Sequence, residues 1–486
     1  MDAEVPVRRV MLALGIFFDG TGNNAFTTQK MVEIFRQQHG NIDSVEAEPL
    51  FRRHAQTHFG VSGTQAASYL GYYTNIYALQ ALYALPDSAG KERIQQAIYI
   101  EGVGTCVGKP DCVIGMGFGT GEYGVIAKTD EAIARLASAV SAALASLSGP
   151  WVVDCVLFDL FGFSRGAAAA RHFANRIQSE DPAIFRAIAS AVGDLPRIRC
   201  RFIGLFDTVA AIATLANGMD PHGPDTGEVN LVLRPGVAEH VFHIVAQHEC
   251  RYNFALNSVA PAWPELLLPG AHSDIGGGYL PRIREDLFLT RPQVETVPWN
   301  EPGERSRVYR QAVAQLSALN NAPAMAPLMR THSVMPATWE DEFAPNDRYG
   351  QMQKRCFAAL TLRQRQVSAD WSQAALWVML DAARAAGVLF DEPTLHLPEA
   401  LIPLVERARQ MGKAVRVGSR INGFSTQELD TLAQDFIHCS ANWNSVTVND
   451  AGELYGGAAI AETLGFVNRP DEGWVRTVYD LNGKKW

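Results

Sequence analysis

The stretch VLFDLFGFSRGAAAARHFAN, residues 156 to 175, constrains the fold more than any other part of the chain. Its first half is apolar without alternation, as in a strand buried on both faces, and it runs through Gly162-Phe163-Ser164-Arg165-Gly166 into an alanine-rich segment of helical character. Similar apolar runs recur at 10–18, 97–101, 151–160, 198–206 and 263–268, with helical patterns between them that are clearest at 126–148 and 165–178. Continuous apolar strands alternating with helices predict an α/β fold: a mostly parallel sheet with helices on both faces. Ligands on such sheets bind at the carboxyl ends of the strands, which is where the polar punctuation of this sequence falls. Beyond about residue 290 the chain turns to helices and Pro-rich connections, with strong helical periodicity at 371–390. We therefore expect a core over 1–290, in which 209–240 is a candidate lid or rim, and a mainly helical accessory or cover region over 291–486.

Composition removes several function classes. A net charge of -9 gives no basic surface for nucleic acid and no long-range pull toward anionic membranes. The cysteines, 7 in all, include no CxxC pair and read as thiols of a reducing compartment. VRRVMLALGIFF imitates a secretory leader but lacks a small-residue cleavage site and reads as a strand, so export without a cleaved leader is expected. The glycine-rich segment 102–124 fits neither a dinucleotide fingerprint, which needs glycine where Val107 stands, nor a phosphate loop, which needs glycine at Val103 and a hydroxyl at Pro110. No cofactor and no metal are implied.

Ser164 sits at the centre of a GxSxG between a buried strand and a helix, the context of a nucleophile elbow, against the plainer reading of a serine that only caps a helix. In such folds the acid and base follow the serine, each after a strand. CRFIGLFDTVAAI delivers Asp207 at its carboxyl end, and PELLLPGAHSDIGGGY delivers His272 onto a glycine-flanked loop that also carries Asp274. His438, in FIHCSANWN, ranks second as base, ahead of His243 and His248 in a stretch of helix-like pattern.

The opening run LALGIFFDGTGNN ends abruptly at Asp19. An aspartate-nucleophile phosphatase would place its attacking carboxylate where Phe17 stands, so that chemistry has no nucleophile here. For a serine nucleophile the loop has another use. An oxyanion hole takes one amide from the residue after the nucleophile, Arg165, and another from a loop after a neighbouring strand. Gly20 is the expected second amide, with Asp19, and Asp274 on the histidine loop, as supporting residues.

IFFDGTGNN, YIEGVGT, GFSRGAAAAR, LFDTVAAI and PGAHSDIGGGY occur here in the order found in a large bacterial and fungal α/β-hydrolase family that includes the first family of type VI secretion lipase effectors, and the chain resembles that family over residues 10 to 282. The resemblance implies an α/β-hydrolase-like fold and phospholipase activity, with Ser164, Asp207 and His272 as the triad. It implies phospholipid at a membrane surface as substrate, an immunity protein and a secretion spike protein as partners, and delivery from the bacterial cytoplasm into the periplasm of target cells. The alternatives are a soluble carboxylesterase or thioesterase acting on a small metabolite, and an idle scaffold kept for binding. Since an acidic lipase must reach its ester by apolar contact, we expect an apolar lip around Ser164, built from 209–240 and from the 322–336 region with Met325 and Met329.

Overall fold

Alternate residues of the opening apolar run face opposite sides of a sheet. In the computed structural model the run is strand β1 (Arg8–Phe18); Val10, Leu12, Leu14, Ile16 and Phe18 point to one apolar layer and Phe17 to the other. The structure describes residues 7–486 apart from 84–92, 107–108, 113–114, 116–118, 146, 149, 214–216, 218–219, 342–345, 395, 420, 444–445, 449–453 and 457–467. Parts of the glycine-rich 102–124 segment and of the expected 209–240 rim thus lie outside the described residues.

β1 is joined by β2 (Arg93–Ile100), β3 (Trp151–Phe163), β4 (Arg197–Phe206), β5 (His240–Ala246), β6 (Leu256–Asn257) and β7 (Glu265–Leu268). Among the described residues the main sheet has the order β2-β1-β3-β4-β5-β7, with every neighbouring pair parallel. Helices Val125–Leu144, Arg165–Gln178 and Pro182–Val192 pack on one face. Helices Asn75–Leu82, Ser372–Ala385 and Ile402–Arg416 pack on the other, against Phe161, Phe202, Phe206 and Phe242. Each such fully buried ring contributes about 1.5–3 kcal/mol, so the two layers supply most of the cohesion.

The reading of the stretch that holds His243 and His248 as helix-like is corrected: His243 lies in strand β5, buried from Val241 to Ala246, and His248 follows it. His243 is satisfied across the sheet, its Nδ1 2.9 Å from Glu265 and its Nε2 accepting the Thr208 amide at 3.0 Å. Helices predominate after residue 290, as expected, but they share the region with unforeseen strands. β8 (Arg282–Phe288), β9 (Gln293–Pro298), β10 (Met335–Asp341) and β11 (Gln353–Ser368) form a second, antiparallel sheet. A hairpin of β12 (Val446–Val448) and β13 (Leu454–Gly456) follows, and β14 (Val478–Tyr479) runs beside β6. The same apolar cluster holds Phe161 of the sheet and Leu376, Met379 and Leu404 of the later helices, so these cover the sheet directly. No described helix is long and apolar enough to cross a membrane.

Candidate active site

Register brings the site together. β1, β3 and β4 are neighbours with Phe18 beside Gly162 and Phe163 beside Phe206, so the residues that follow, Asp19, Ser164 and Asp207, come off adjacent strand ends. Ser164 has φ 58 and ψ -126, and its hydroxyl makes no cap to the helix it precedes; its amide donates to the Phe206 carbonyl at 3.1 Å. A capping serine would be extended with its oxygen on the helix amides, so the cap reading is not what is found. The left-handed backbone also appears at Asp207 (φ 42) and Ala211 (φ 40). Such strain in non-glycine residues gathers where surrounding structure over-determines the geometry. The elbow glycines are required by contact: a Cβ on Gly162 would fall 2.4 Å from the Gly166 carbonyl oxygen, and one on Gly166 2.3 Å from the carbonyl oxygens of Phe18 and Asp19.

His272 Nδ1 lies 2.5 Å from Asp207 Oδ2, and both residues are buried. Burial alone would favour a protonated Asp207, but the Arg476 guanidinium and the His272 hydrogen bond hold the carboxyl far below its ordinary range. Burial lowers the His272 imidazole below its usual value, with Asp207 pulling the other way, so its neutral, proton-accepting form is favoured. Ser164, Arg165 and His272 line one cavity of about 260 Å³ together with Thr21, Phe163, Val209, Phe254 and others.

Asp274 closes the turn that carries His272, accepting the Ala271 amide at 2.8 Å. Asp19 is buried with its pKa raised to about 6 by burial, and it accepts from the Gly20 amide at 2.7 Å, Thr74 Oγ1 at 2.8 Å and Tyr99 Oη at 2.6 Å. That geometry corrects one expectation. The Gly20 amide is spent on Asp19, because the carboxylate curls onto its own next residue, while Thr21 and Asn23 of this loop face the cavity and the Asn23 amide donates to the Gly20 carbonyl at 2.9 Å. The Arg165 side chain turns away from solvent, donating to the carbonyls of Ala210 and Ala211 and to Thr21 Oγ1, and burial lowers its pKa to about 10.

His438 is not brought to Ser164. Its Nδ1 pairs with Asp274 Oδ1 at 2.6 Å, and its ring stacks on Tyr279 at 3.8 Å. His248 is buried and accepts the Gly270 amide at 2.9 Å, with its pKa lowered to about 4 by burial. The expected lip is half corrected: Val209, Ala211 and Pro221 line the cavity, whereas Met325 is 1% exposed and sits with Ala322 and Leu328 inside the core. Methionines and prolines suggested an exposed apolar lip here, but a short helix, Ala326–Thr331, turns Pro327 and Leu328 inward.

Residues the sequence did not single out complete the site. Arg476 grips both oxygens of Asp207 at 2.7 and 2.8 Å. Arg251, paired with Glu249 at 2.7 Å and standing over the Phe254 ring, lines the cavity with Asn253 and Asn468. Burial would raise Glu249, but the charge and hydrogen bond of Arg251, together with Arg476 and His272, pull it down to about 2, and its Oε2 accepts the His272 amide at 3.2 Å. No local motif marks these positions, which follow no predicted strand.

Similarity to known proteins agrees with this architecture. Residues 185–295 match the family model "T6SS, Phospholipase effector Tle1-like, catalytic domain". The solved structure of the Tle1 effector bound to the VgrG spike from the type 6 secretion system is 37% identical over 98% of this chain and 94% of that one, with a TM-score of 0.76. An uncharacterized protein from Pseudomonas aeruginosa, 16% identical over 87% of this chain and 52% of that one, has a TM-score of 0.38, too low to carry an argument. No curated protein matches. A parallel sheet whose strand ends present an elbow serine and a paired histidine, and a relative this similar over nearly the whole length, lead to one statement: the chain belongs to the Tle1-like family of type VI secretion phospholipase effectors.

Proposed function

We propose that this effector is a phospholipase A-type ester hydrolase that cleaves acyl esters of glycerophospholipids through Ser164, His272 and Asp207. The single observation behind the reading is the 2.5 Å contact of His272 Nδ1 with Asp207 at the rim of the cavity that Ser164 also lines. His272 Nε2 takes the Ser164 proton as Oγ attacks the ester carbonyl, and Asp207 stabilises the imidazolium that results. The tetrahedral oxyanion is received by the amide of Arg165, the first residue of the helix that Ser164 precedes, and by an amide of the Asp19–Asn23 loop, of which Thr21 is the best placed. The His272 imidazolium gives its proton to the departing alcohol oxygen, so collapse expels the lysophospholipid and leaves an acyl-enzyme; water, deprotonated by the now neutral His272, then attacks it, freeing the fatty acid as His272 returns the proton to Ser164 Oγ.

Since the similar Tle1 effector is bound to a VgrG spike, a spike protein is the proposed carrier of this chain, with periplasmic delivery and a cognate immunity protein as parts of the same reading. The test is release of fatty acid from phospholipid vesicles by the purified protein and by Ser164→Ala. Wild type should hydrolyse, and the variant should retain less than about a thousandth of the rate. A variant above a tenth of wild type would sink the serine mechanism.

A further inference from the structure

Asp207 is held more firmly than its contact with His272 requires. Its Oδ2 accepts from His272 Nδ1 and from Arg476 Nη2 at 2.8 Å; its Oδ1 accepts from the Ala246 amide at 2.9 Å and from Arg476 Nη1 at 2.7 Å. Arg476 Nε donates to the Phe254 carbonyl at 2.7 Å, and the Phe254 ring stands edge-on to His272 with centroids 5.0 Å apart. One guanidinium therefore fixes both the carboxylate that orients the imidazole and the segment whose ring packs against it.

The segment bearing Arg476 is itself anchored along the cavity wall. β14 runs beside β6, Thr477 donates its amide and hydroxyl to Asp471, and the Asp471 amide donates to the Cys250 carbonyl at 2.7 Å. The Arg469 guanidinium lies 3.8 Å from the Tyr252 ring centre, and Asn468 lines the cavity.

We infer that Arg476 is a positioning residue of the active site, and that the 468–486 segment is a working part of that site because it delivers this guanidinium to Asp207. The inference rests on the triad reading given above. A carboxylate rotates easily about its last torsion, a broad sp³–sp² well. A two-pronged guanidinium fixes its plane, as a single ammonium cannot. The second effect is electrostatic. His272 faces Asp207 from β4, Glu249 and Arg251 from the loop after β5, Arg476 from the C-terminal segment, Asp274 in its own turn and Arg165 across the cavity. Taking one cation from that set leaves the carboxylates freer to hold a proton on the imidazole.

Geometry and charge can therefore be separated. The full-length wild type, Arg476→Met, Arg476→Lys and Ser164→Ala proteins are compared on a soluble p-nitrophenyl ester across pH, with thermal melting to confirm folding. The Met variant should lose about a hundredfold in kcat with KM little changed, since misplacement of a reacting group by an ångström costs that much. Its acid limb should move up by about one pH unit. The Lys variant should keep the limb near wild type while recovering only part of kcat. A Met variant with kcat within threefold of wild type, or with an unmoved limb, overturns the inference. If the Met variant does not fold, the Lys variant decides: reduced kcat on an unmoved limb supports the inference and wild-type kcat overturns it. Turnover retained by Ser164→Ala would instead defeat the triad reading, which keeps the two failures apart.

Discussion

The molecule contains two buried histidine–aspartate pairs that meet in one helical turn. His272 and Asp274 both lie in His272–Gly276, yet His272 pairs outward with Asp207 at 2.5 Å while Asp274 pairs with His438 at 2.6 Å. Both imidazoles are almost fully buried, at 4% and 3% exposure, so neither burial nor a carboxylate partner distinguishes them. What differs is the rest of each ring's surroundings. His272 borders the cavity that Ser164 lines, whereas His438 Nε2 is enclosed with no hydrogen-bond partner among the described residues and its face is covered by Tyr279. Asp207 is gripped by a guanidinium, while Asp274 is spent on the Ala271 and His438 amides. A histidine–carboxylate pair is thus a common way to satisfy a buried ring, and only its access to a nucleophile makes one a base.

The largest effect that could break this contrast is on rate. His272→Ala should lower kcat on a soluble ester by about a thousandfold or more, and His438→Ala by less than about tenfold. A dead His438 variant beside a live His272 variant would reverse the assignment. Next comes pH. The lowered pKa of His272 keeps its neutral form populated below the usual histidine range, so the acid decline of kcat/KM should be centred below pH 6.5. A decline centred above that value would show that burial does not govern this ring.

Stability supplies the third contrast. His438→Ala removes a buried hydrogen bond to a charged group, at a cost of about 1.5–3 kcal/mol, and should lower the thermal midpoint by a few degrees while the ester is still turned over. An unchanged midpoint would mean that the pair does no structural work. The smallest expected effect concerns the membrane. Met325 is buried, so Met325→Ala should cost about 2–5 kcal/mol of stability yet leave vesicle attachment of the Ser164→Ala protein unchanged. Attachment lost with the fold intact would restore the 322–336 region to the lip.

Local patterns revealed much of this molecule because they act over short distances. Val156–Phe163 is apolar apart from Asp159, which is buried and takes the Arg201 guanidinium at 2.6 Å, because β3 lies under helices on both sides, and the glycines around Ser164 are needed where the elbow helix crosses the end of β1. Strand β5 was misread because His240 and His243 break its apolar run, and the partners that let His243 be buried, Glu265 and Thr208, lie elsewhere in the chain. Strands β9 and β10 were hidden for a related reason: an antiparallel sheet with an exposed face mixes polar and apolar residues, leaving no continuous run to notice, whereas the buried Cys356–Leu360 run of β11 is flanked by charged residues on both sides.

The sequence by itself determined the order of β1 to β4 and β7 with the turns that follow them, and so the placing of Ser164 and Asp207 at strand ends and of His272 in the loop that follows β7. Those are consequences of local sterics and of apolar period. Which histidine shares a cavity with the serine, whether the Gly20 amide is free, and which cation holds Asp207 were decided by tertiary structure alone. These contacts join residues far apart in the chain, Arg476 to Asp207 most of all, and depend on how whole elements pack. A guanidinium's partner is set by distance in space, and no spacing along a chain encodes that distance.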